Sequence, residues 1–359
     1  MPLQDASGDG LAPGRLPRDQ LLVYRGASNT LEPVRTVEDW GKRRSEIMRG
    51  VTEVMGPLPS AEKRCPLEIK TESETDCGTY LRRLITYASE PGTRTPAWLL
   101  LPKAALANEG GNGTPGALCP HPTNDVIGHD VVVGLGEKPN RAYAAELAER
   151  GYVCIAPSYP HLAKYRPDLR ALGYQSGTMK AIWDNIRALD VIESLPFVAR
   201  GRHGAIGHSL GGHNSVFTAV FDDRLALVVS SCGLDSFPDY YRGDPARWQP
   251  GQGWCQERYM PRLVKYAGQL ERIPFDFHEL IGALAPRAVF ISAPLRDENF
   301  RADSVDRIGA AAAPVYQLFG KRDNLIIEHP DCGHDFPDEI RQRAYALFDQ
   351  HLKSAKPAR

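Results

Sequence analysis

Residues 205–212 read Ala-Ile-Gly-His-Ser-Leu-Gly-Gly, a Gly-x-Ser-x-Gly pattern with Ser209 between Gly207 and Gly211. A serine hydroxyl is a poor nucleophile at neutral pH. It needs a base within hydrogen-bond reach, and that base needs an acid to fix its tautomer and stabilise the imidazolium. The setting of the pattern gives it weight. Apolar Ala205 and Ile206 precede it, and a helix-like run from Asn214 to Phe221 follows. Ser209 is therefore expected on a tight strand-to-helix turn that exposes its hydroxyl, with the flanking glycines letting strand and helix pass closely. The chemistry open to such a serine is nucleophilic acyl transfer.

A base and an acid both follow downstream. His334 lies in the loop His329-Pro330-Asp331-Cys332-Gly333-His334-Asp335-Phe336-Pro337, between the apolar run 325–328 and a terminal helix. Loop position and the preceding glycine leave it free to point back over the sheet. His329 competes, but it stands at the strand end beside a proline. The acid is expected on the loop Ser292–Asn299, where Asp297 is the first choice. Glu298 is adjacent, Asp303 suits a helix cap, and Asp235 is an outside alternative. An oxyanion needs backbone N–H donors. Leu210, directly after the nucleophile, supplies one. The loop Pro120-His121-Pro122-Thr123-Asn124 supplies the second, from Thr123 with Asn124 next, because Pro122 has no N–H. His121 either braces this loop or lines the site as a substrate contact. His208 and His213 read as structural. No His, Asp, Glu or Cys cluster has metal-ligand spacing, so neither a metal nor another cofactor is expected.

The elements that must hold these groups follow from periodicity. Thr36–Met55 carries a helical apolar stripe that Gly56-Pro57 stops. Strand-like runs at 67–71, 80–88 and 97–101 form an antiparallel meander. After a Gly-rich linker, 108–116, short apolar runs (117–119, 153–156, 205–206, 225–229, 288–291, 315–319) alternate with helices at about 141–150, 178–195, 214–221, 276–285, 303–312 and 338–352. Such alternation means an α/β fold, a mostly parallel central sheet covered by helices on both faces, with N-terminal antiparallel strands. Two units are expected: residues 1–64, an N-terminal arm and helix packed on the core, and residues 65–359, the main domain.

An insertion at 233–273 breaks the alternation and should cap the carboxyl end of the sheet, where ligands bind in open α/β folds. It holds Tyr240, Tyr241, Trp248, Trp254, Tyr259 and Tyr266. They either pack the insertion onto the body or wall a substrate site, with Trp254 the first candidate. Just beyond, Asp276 and Glu279 have capping-box spacing, and that helix start faces the same side, so Asp276 and His278 are further substrate candidates.

Composition sets bounds. The 43 basic and 44 acidic residues give a formal net charge of -1, so no broad field attracts nucleic acid or an anionic membrane. No stretch reaches the roughly 18 apolar residues that span a bilayer. The polar start suits a cytoplasmic protein, or a secreted or periplasmic one whose signal peptide was removed. Oligomeric state is not legible. The seven cysteines fit no zinc spacing and read as mostly free thiols, Cys65–Cys77 being the one local pairing to check.

On Gly207-His208-Ser209-Leu210-Gly211-Gly212, His121-Pro122-Thr123 ahead of Gly134–Asn140, Ala285-Pro286-Arg287 and Cys332-Gly333-His334, the chain resembles the α/β-hydrolase superfamily over about residues 65–352. Within it, the dienelactone-hydrolase-like and acetyl-xylan-esterase-like group is the nearest in pattern. That superfamily orders its triad Ser, acid, His, as here. Dienelactone hydrolases proper use cysteine, from which Ser209 departs. The resemblance implies a serine carboxylic-ester hydrolase working through an acyl-enzyme, with short-chain acetyl esters of carbohydrates the favoured substrate. A glucuronoyl esterase-like or other carboxylesterase would share every catalytic residue. A serine peptidase of the prolyl-oligopeptidase type and a non-catalytic binding protein on the same fold are the remaining alternatives.

Overall fold

The structure is a computed structural model that describes residues 15–26, 29–107 and 113–353. The first part of the expected arm and most of the expected 108–116 linker lie outside these residues. Two short strands, β1 (Val23–Arg25) and β2 (Leu31–Pro33), pair antiparallel within the stretch read as an extended arm. Helix α1 (Val37–Met55) begins as its sequence dictates. The Thr36 hydroxyl accepts from the Asp39 N–H while the Asp39 carboxylate accepts from the Thr36 N–H, and Gly56 ends the helix at φ 87°. Its stripe of Trp40, Ile47, Val51 and Val54 is buried.

The meander β3 (Lys70–Asp76), β4 (Tyr80–Glu90) and β5 (Thr93–Pro102) is antiparallel, and the short helix α2 (Lys103–Leu106) follows it. From there strands and helices alternate: β6 (Thr114–Leu118), α3 (Tyr143–Glu149), β7 (Val153–Pro157), α4 (Gly177–Glu193), β8 (Val198–His208), α5 (Leu210–Phe221) and β9 (Leu225–Ser231). After the insertion come α6 (Phe277–Ala283), β10 (Ala288–Ser292), α7 (Ala302–Leu318), β11 (Leu325–Glu328) and α8 (Asp338–Phe348). The nine strands run β11-β10-β9-β8-β6-β7-β5-β4-β3 across one sheet. Pairing is parallel from β11 to β7 and antiparallel from β7 outward to β3. The parallel strands are apolar on both sides because helices cover both faces. Two buried apolar clusters, one under α1, α4, α5, α6 and α7 and one under α3 and α8, are the result.

Two expectations need correction. Residues 315–319 were expected as a strand, but Val315 and Tyr316 are the last buried turn of α7, which runs through Pro314. Val305, Ile308, Ala312 and Val315 keep the helical spacing across the proline, and one missing N–H does not outweigh that buried face. The last strand is instead Leu325–Glu328, at the sheet edge beside β10. The first strand of the meander is also displaced, to Lys70–Asp76 from the expected 67–71. It is an exposed edge strand, and with neither face buried the hydrophobic pattern carries no register.

Candidate active site

Strand β8 ends at His208 and α5 starts at Leu210, so Ser209 is the whole turn. Its backbone sits at φ 55°, ψ -124°, in the positive-φ region that L-residues avoid. The strain is held from both sides: the Ser209 N–H donates to the Ser231 carbonyl at 2.8 Å, and the Ser209 carbonyl accepts from the His213 N–H at 3.0 Å. Glycine is required around it for space. A Cβ on Gly207 would lie 2.1 Å from the Gly211 carbonyl carbon, and one on Gly211 would lie 2.2 Å from the Pro120 carbonyl oxygen. The second contact brings the 120–123 loop against the first turn of α5. Thr123 and Leu210 thus belong to segments in direct contact beside Ser209, and Tyr143 fixes the loop by donating its hydroxyl to the Pro120 carbonyl at 2.5 Å.

His334 stands on the loop after β11, and its Nδ1 lies 2.8 Å from the Asp297 carboxylate. Asp297, on the loop after β10, is buried, and its other oxygen accepts from the N–H groups of Asn299 at 2.8 Å and Phe300 at 3.3 Å. Both oxygens are therefore committed and the carboxylate cannot rotate freely. The His334 ring leans on Phe300 and on His208, whose centroid is 4.8 Å away. Burial, with Arg141, His334 and Lys138 nearby, holds His208 well below the usual imidazole range, so it stays neutral. The other candidates stand elsewhere. His329 bonds the Ala293 carbonyl and pairs with Asp306. Asp235 is buried against the Arg301 N–H, and burial raises its carboxyl well above the ordinary carboxylate range. Glu298 has no bond to His334, and Asp303 pairs with Arg301 and Arg307.

Ser209, His208, Thr123 and His334 all open onto one cleft of about 650 Å³. Its lining combines apolar Val126, Ile127, Val131 and Leu135 with polar Asn124, Glu137, Lys138 and Arg141. Arg141 pairs with Asp335 at 2.5 Å and donates to the His334 carbonyl at 3.2 Å, so it also steadies the histidine loop. The Gly134–Asn140 segment, which in the sequence carried only part of a resemblance, thus supplies Leu135, Gly136, Glu137 and Lys138 to the cleft wall. Its exposed charged residues beside a predicted loop were the available signal.

Four residues expected to touch substrate do not line this cleft. His121 is buried, its Nδ1–H donating to the Pro122 carbonyl at 2.8 Å while Nε2 accepts from the Tyr159 N–H at 3.0 Å. Burial and His129 push it down to about 3, so it is a neutral brace of the loop. Trp254 is buried, stacked on His213 at 4.1 Å and packed against Tyr240 and Tyr259. The insertion is a chain of 3-10 turns, and its aromatic rings pack it onto the body, against His213, Tyr159 and Phe300. Asp276 is fully buried, capping α6 and bonding Ser236 and Arg18. His278 is buried behind it, in a cleft with Arg18 and Arg307. Cys65 and Cys77 do not pair, and all seven cysteines are free thiols.

The fold matches a glucuronoyl esterase from Solibacter usitatus with a TM-score of 0.73, at 20% identity over 96% of this chain and 99% of that one. The chain therefore has the α/β-hydrolase fold. A family model described as glucuronyl esterase, fungi, matches residues 171–320. A putative hydrolase, YtaP, of Bacillus subtilis (strain 168) is 24% identical over 86% of this chain and its own whole length. A 4-O-methyl-glucuronoyl methylesterase of Phanerochaete carnosa (strain HHB-10118-sp) is 24% identical over 48% of this chain, which spans 45% of that relative. On this α/β-hydrolase fold, a strained elbow serine and a histidine–carboxylate pair meet at one cleft, an arrangement suited to nucleophilic attack on a carboxylic ester. Among the described residues, no helix is long and apolar enough to cross a membrane.

Proposed function

We propose that this protein hydrolyses an ester formed by the carboxyl group of a sugar acid, a uronate alkyl or aryl ester, with Ser209, His334 and Asp297 as its catalytic triad. In this mechanism His334 Nε2 takes the Ser209 proton as Oγ attacks the ester carbonyl. The N–H groups of Leu210 and Thr123 face the oxyanion of the tetrahedral intermediate. The C–O bond to the alcohol breaks, and His334 returns the proton to the departing oxygen. Water, deprotonated by His334, then attacks the uronyl-enzyme; the acid leaves and Ser209 regains its proton.

One observation carries the reading: the elbow serine and the Asp297-held His334 share a cleft with room for a sugar, half of it polar. Asn124, Glu137, Lys138 and Arg141 offer hydrogen bonds suited to ring hydroxyls of an acyl sugar, which an acetyl group would leave unused. The acetyl-ester preference came from the resemblance, and Trp254, the residue offered as a wall for a sugar on the alcohol side, is buried. The glucuronoyl esterases among the relatives favour the same choice.

Steady-state kinetics on benzyl glucuronate, acetylated xylan and p-nitrophenyl acetate and butyrate test it. The expected kcat/KM for benzyl glucuronate exceeds that for either acetyl ester by about tenfold or more, a difference of about 1.4 kcal/mol in transition-state stabilisation. A higher value on acetylated xylan would overturn the uronate reading while leaving the triad in place.

A further inference from the structure

We infer that this protein has a second binding site, for a small multivalent anion, in a cleft that shares no lining residue with the one over Ser209. It has a volume of about 690 Å³, in the range of small-ligand sites. Three segments far apart in sequence converge on it. The N-terminal stretch contributes Arg15 and Arg25, α1 contributes Arg43 and Arg49, and the end of the insertion contributes Lys265 and Arg272. Only two carboxylates, Glu46 and Glu53, line it with these six cations; counting the buried Glu279 behind Arg15 and Arg43, the cluster keeps a surplus of three positive charges on a chain whose formal net charge is -1.

The pairing inside the cleft leaves that surplus open. Arg15 and Arg43 form its inner part, their side chains 3% and 4% exposed, and both bind the buried Glu279, at 3.0 and 2.9 Å. The Nε of each is buried without a hydrogen-bond partner among the described residues. Glu46 is shared between Arg43 at 3.4 Å and Arg49 at 3.9 Å, and Glu53 accepts from the Tyr266 hydroxyl. Among the described residues the guanidinium groups of Arg25 and Arg272 meet only the side-chain amides of Asn29 and Gln269, while the Arg25 backbone N–H donates to Glu46. Lys265 has no side-chain partner among the described residues. Cations held together in a concave, partly desolvated space repel one another unless an anion neutralises them. Guanidinium forks converging from two walls match oxyanions carried two or more to a molecule.

The ligand class is an oxyanion of two or more negative groups, of sugar size, phosphate- or carboxylate-bearing. Both sources present the same planar or tetrahedral oxygens to the arginines. Binding does not involve Ser209, so this inference stands apart from the choice of ester substrate.

Isothermal titration of the full chain with pyrophosphate, citrate and trigalacturonate, at low and at 0.5 M salt, tests it. Saturable one-to-one binding is expected for at least one probe, weakened about tenfold or more by the high salt. Tight pyrophosphate binding would mark a phosphorylated ligand, tight trigalacturonate binding an oligouronate. Arg49→Glu with Lys265→Glu should weaken that binding about tenfold or more and leave p-nitrophenyl acetate turnover unchanged. Arg49→Gln with Lys265→Gln, which keeps side-chain length, should weaken it less. No saturable binding of any of the three probes, or equal affinity in the wild type and both double variants with unchanged melting curves, would overturn the assignment.

Discussion

Replacing Asp297 by Asn changes one atom and leaves the loop intact, so its cost can be worked from the hydrogen bonds present. One carboxylate oxygen accepts from Asn299 N–H and Phe300 N–H, and the other faces His334 Nδ1. In the variant the amide oxygen must keep the two backbone donors, which turns the amide NH2 toward His334. His334 then has to offer a lone pair at Nδ1 and carry its proton on Nε2, where it cannot accept the Ser209 proton. Flipping the amide restores the tautomer but forfeits two backbone bonds, at about 2–3 kcal/mol together. The productive form then falls to roughly one part in a hundred, by about 1.4 kcal/mol per factor of ten. Loss of the negative charge beside the forming imidazolium adds to this, and the expected fall in kcat is between about 10² and 10⁴-fold. Turnover of p-nitrophenyl acetate, measured on protein with an unchanged melting curve, reports it. Asp235→Asn and Glu298→Gln should each change kcat by less than about threefold. A variant at 297 that keeps more than about a tenth of the activity, or an equal loss at 235, would refute the pairing as the source of catalysis.

Gly211→Ala places a Cβ 2.2 Å from the Pro120 carbonyl oxygen; it should push the Thr123 loop away and lower kcat on every ester by about 10²-fold, read by the same assay. Trp254→Ala removes a buried ring stacked on His213 and should cost about 3–5 kcal/mol of stability by urea denaturation. Its kcat/KM per folded enzyme should fall equally on large and small esters, and a loss confined to the large ester would return Trp254 to the substrate. Burial pushes His121 down to about 3, His129 to about 4 and His213 to about 3. Unfolding lets all three take protons once the pH drops below the ordinary value near 6.5, so the stability they hold is present above it and lost on acidification. The expected loss is about 4 kcal/mol per pH unit between pH 6 and 5, and denaturation midpoints that stay flat from pH 7 to 5 would contradict it.

The candidate site was legible where local geometry makes its own demands. Ser209 needed a strand, a turn and glycines too close for side chains, all of which are adjacent in sequence. His334 and Asp297 could be placed because chain order and loop position after each strand are set by the alternating fold. Burial was not legible for polar and aromatic residues. Asp276 shows a capping pattern whether it faces substrate or, as found, Arg18 and Ser236 in the interior. Trp254 and His121 carry no sequence mark distinguishing a wall from a brace. The cleft wall at 134–140 and the basic cleft share one difficulty. Each assembles residues from separate segments, and a balanced overall charge hides a local surplus. Val315 and Tyr316 were misread because a short apolar run after a proline fits a strand as well as a last helical turn.

The central claim is that Ser209 is the nucleophile, and covalent capture tests it most directly. Incubation with a fluorophosphonate, followed by intact-mass and peptide mass spectrometry, should show one phosphonyl adduct, on Ser209, forming in step with the loss of ester hydrolysis. Ser209→Ala should take no adduct and lose about 10⁴-fold or more of kcat while melting as the wild type does. Full inactivation with the adduct on another residue, or a Ser209→Ala protein that still turns over p-nitrophenyl acetate near the wild-type rate, would contradict it.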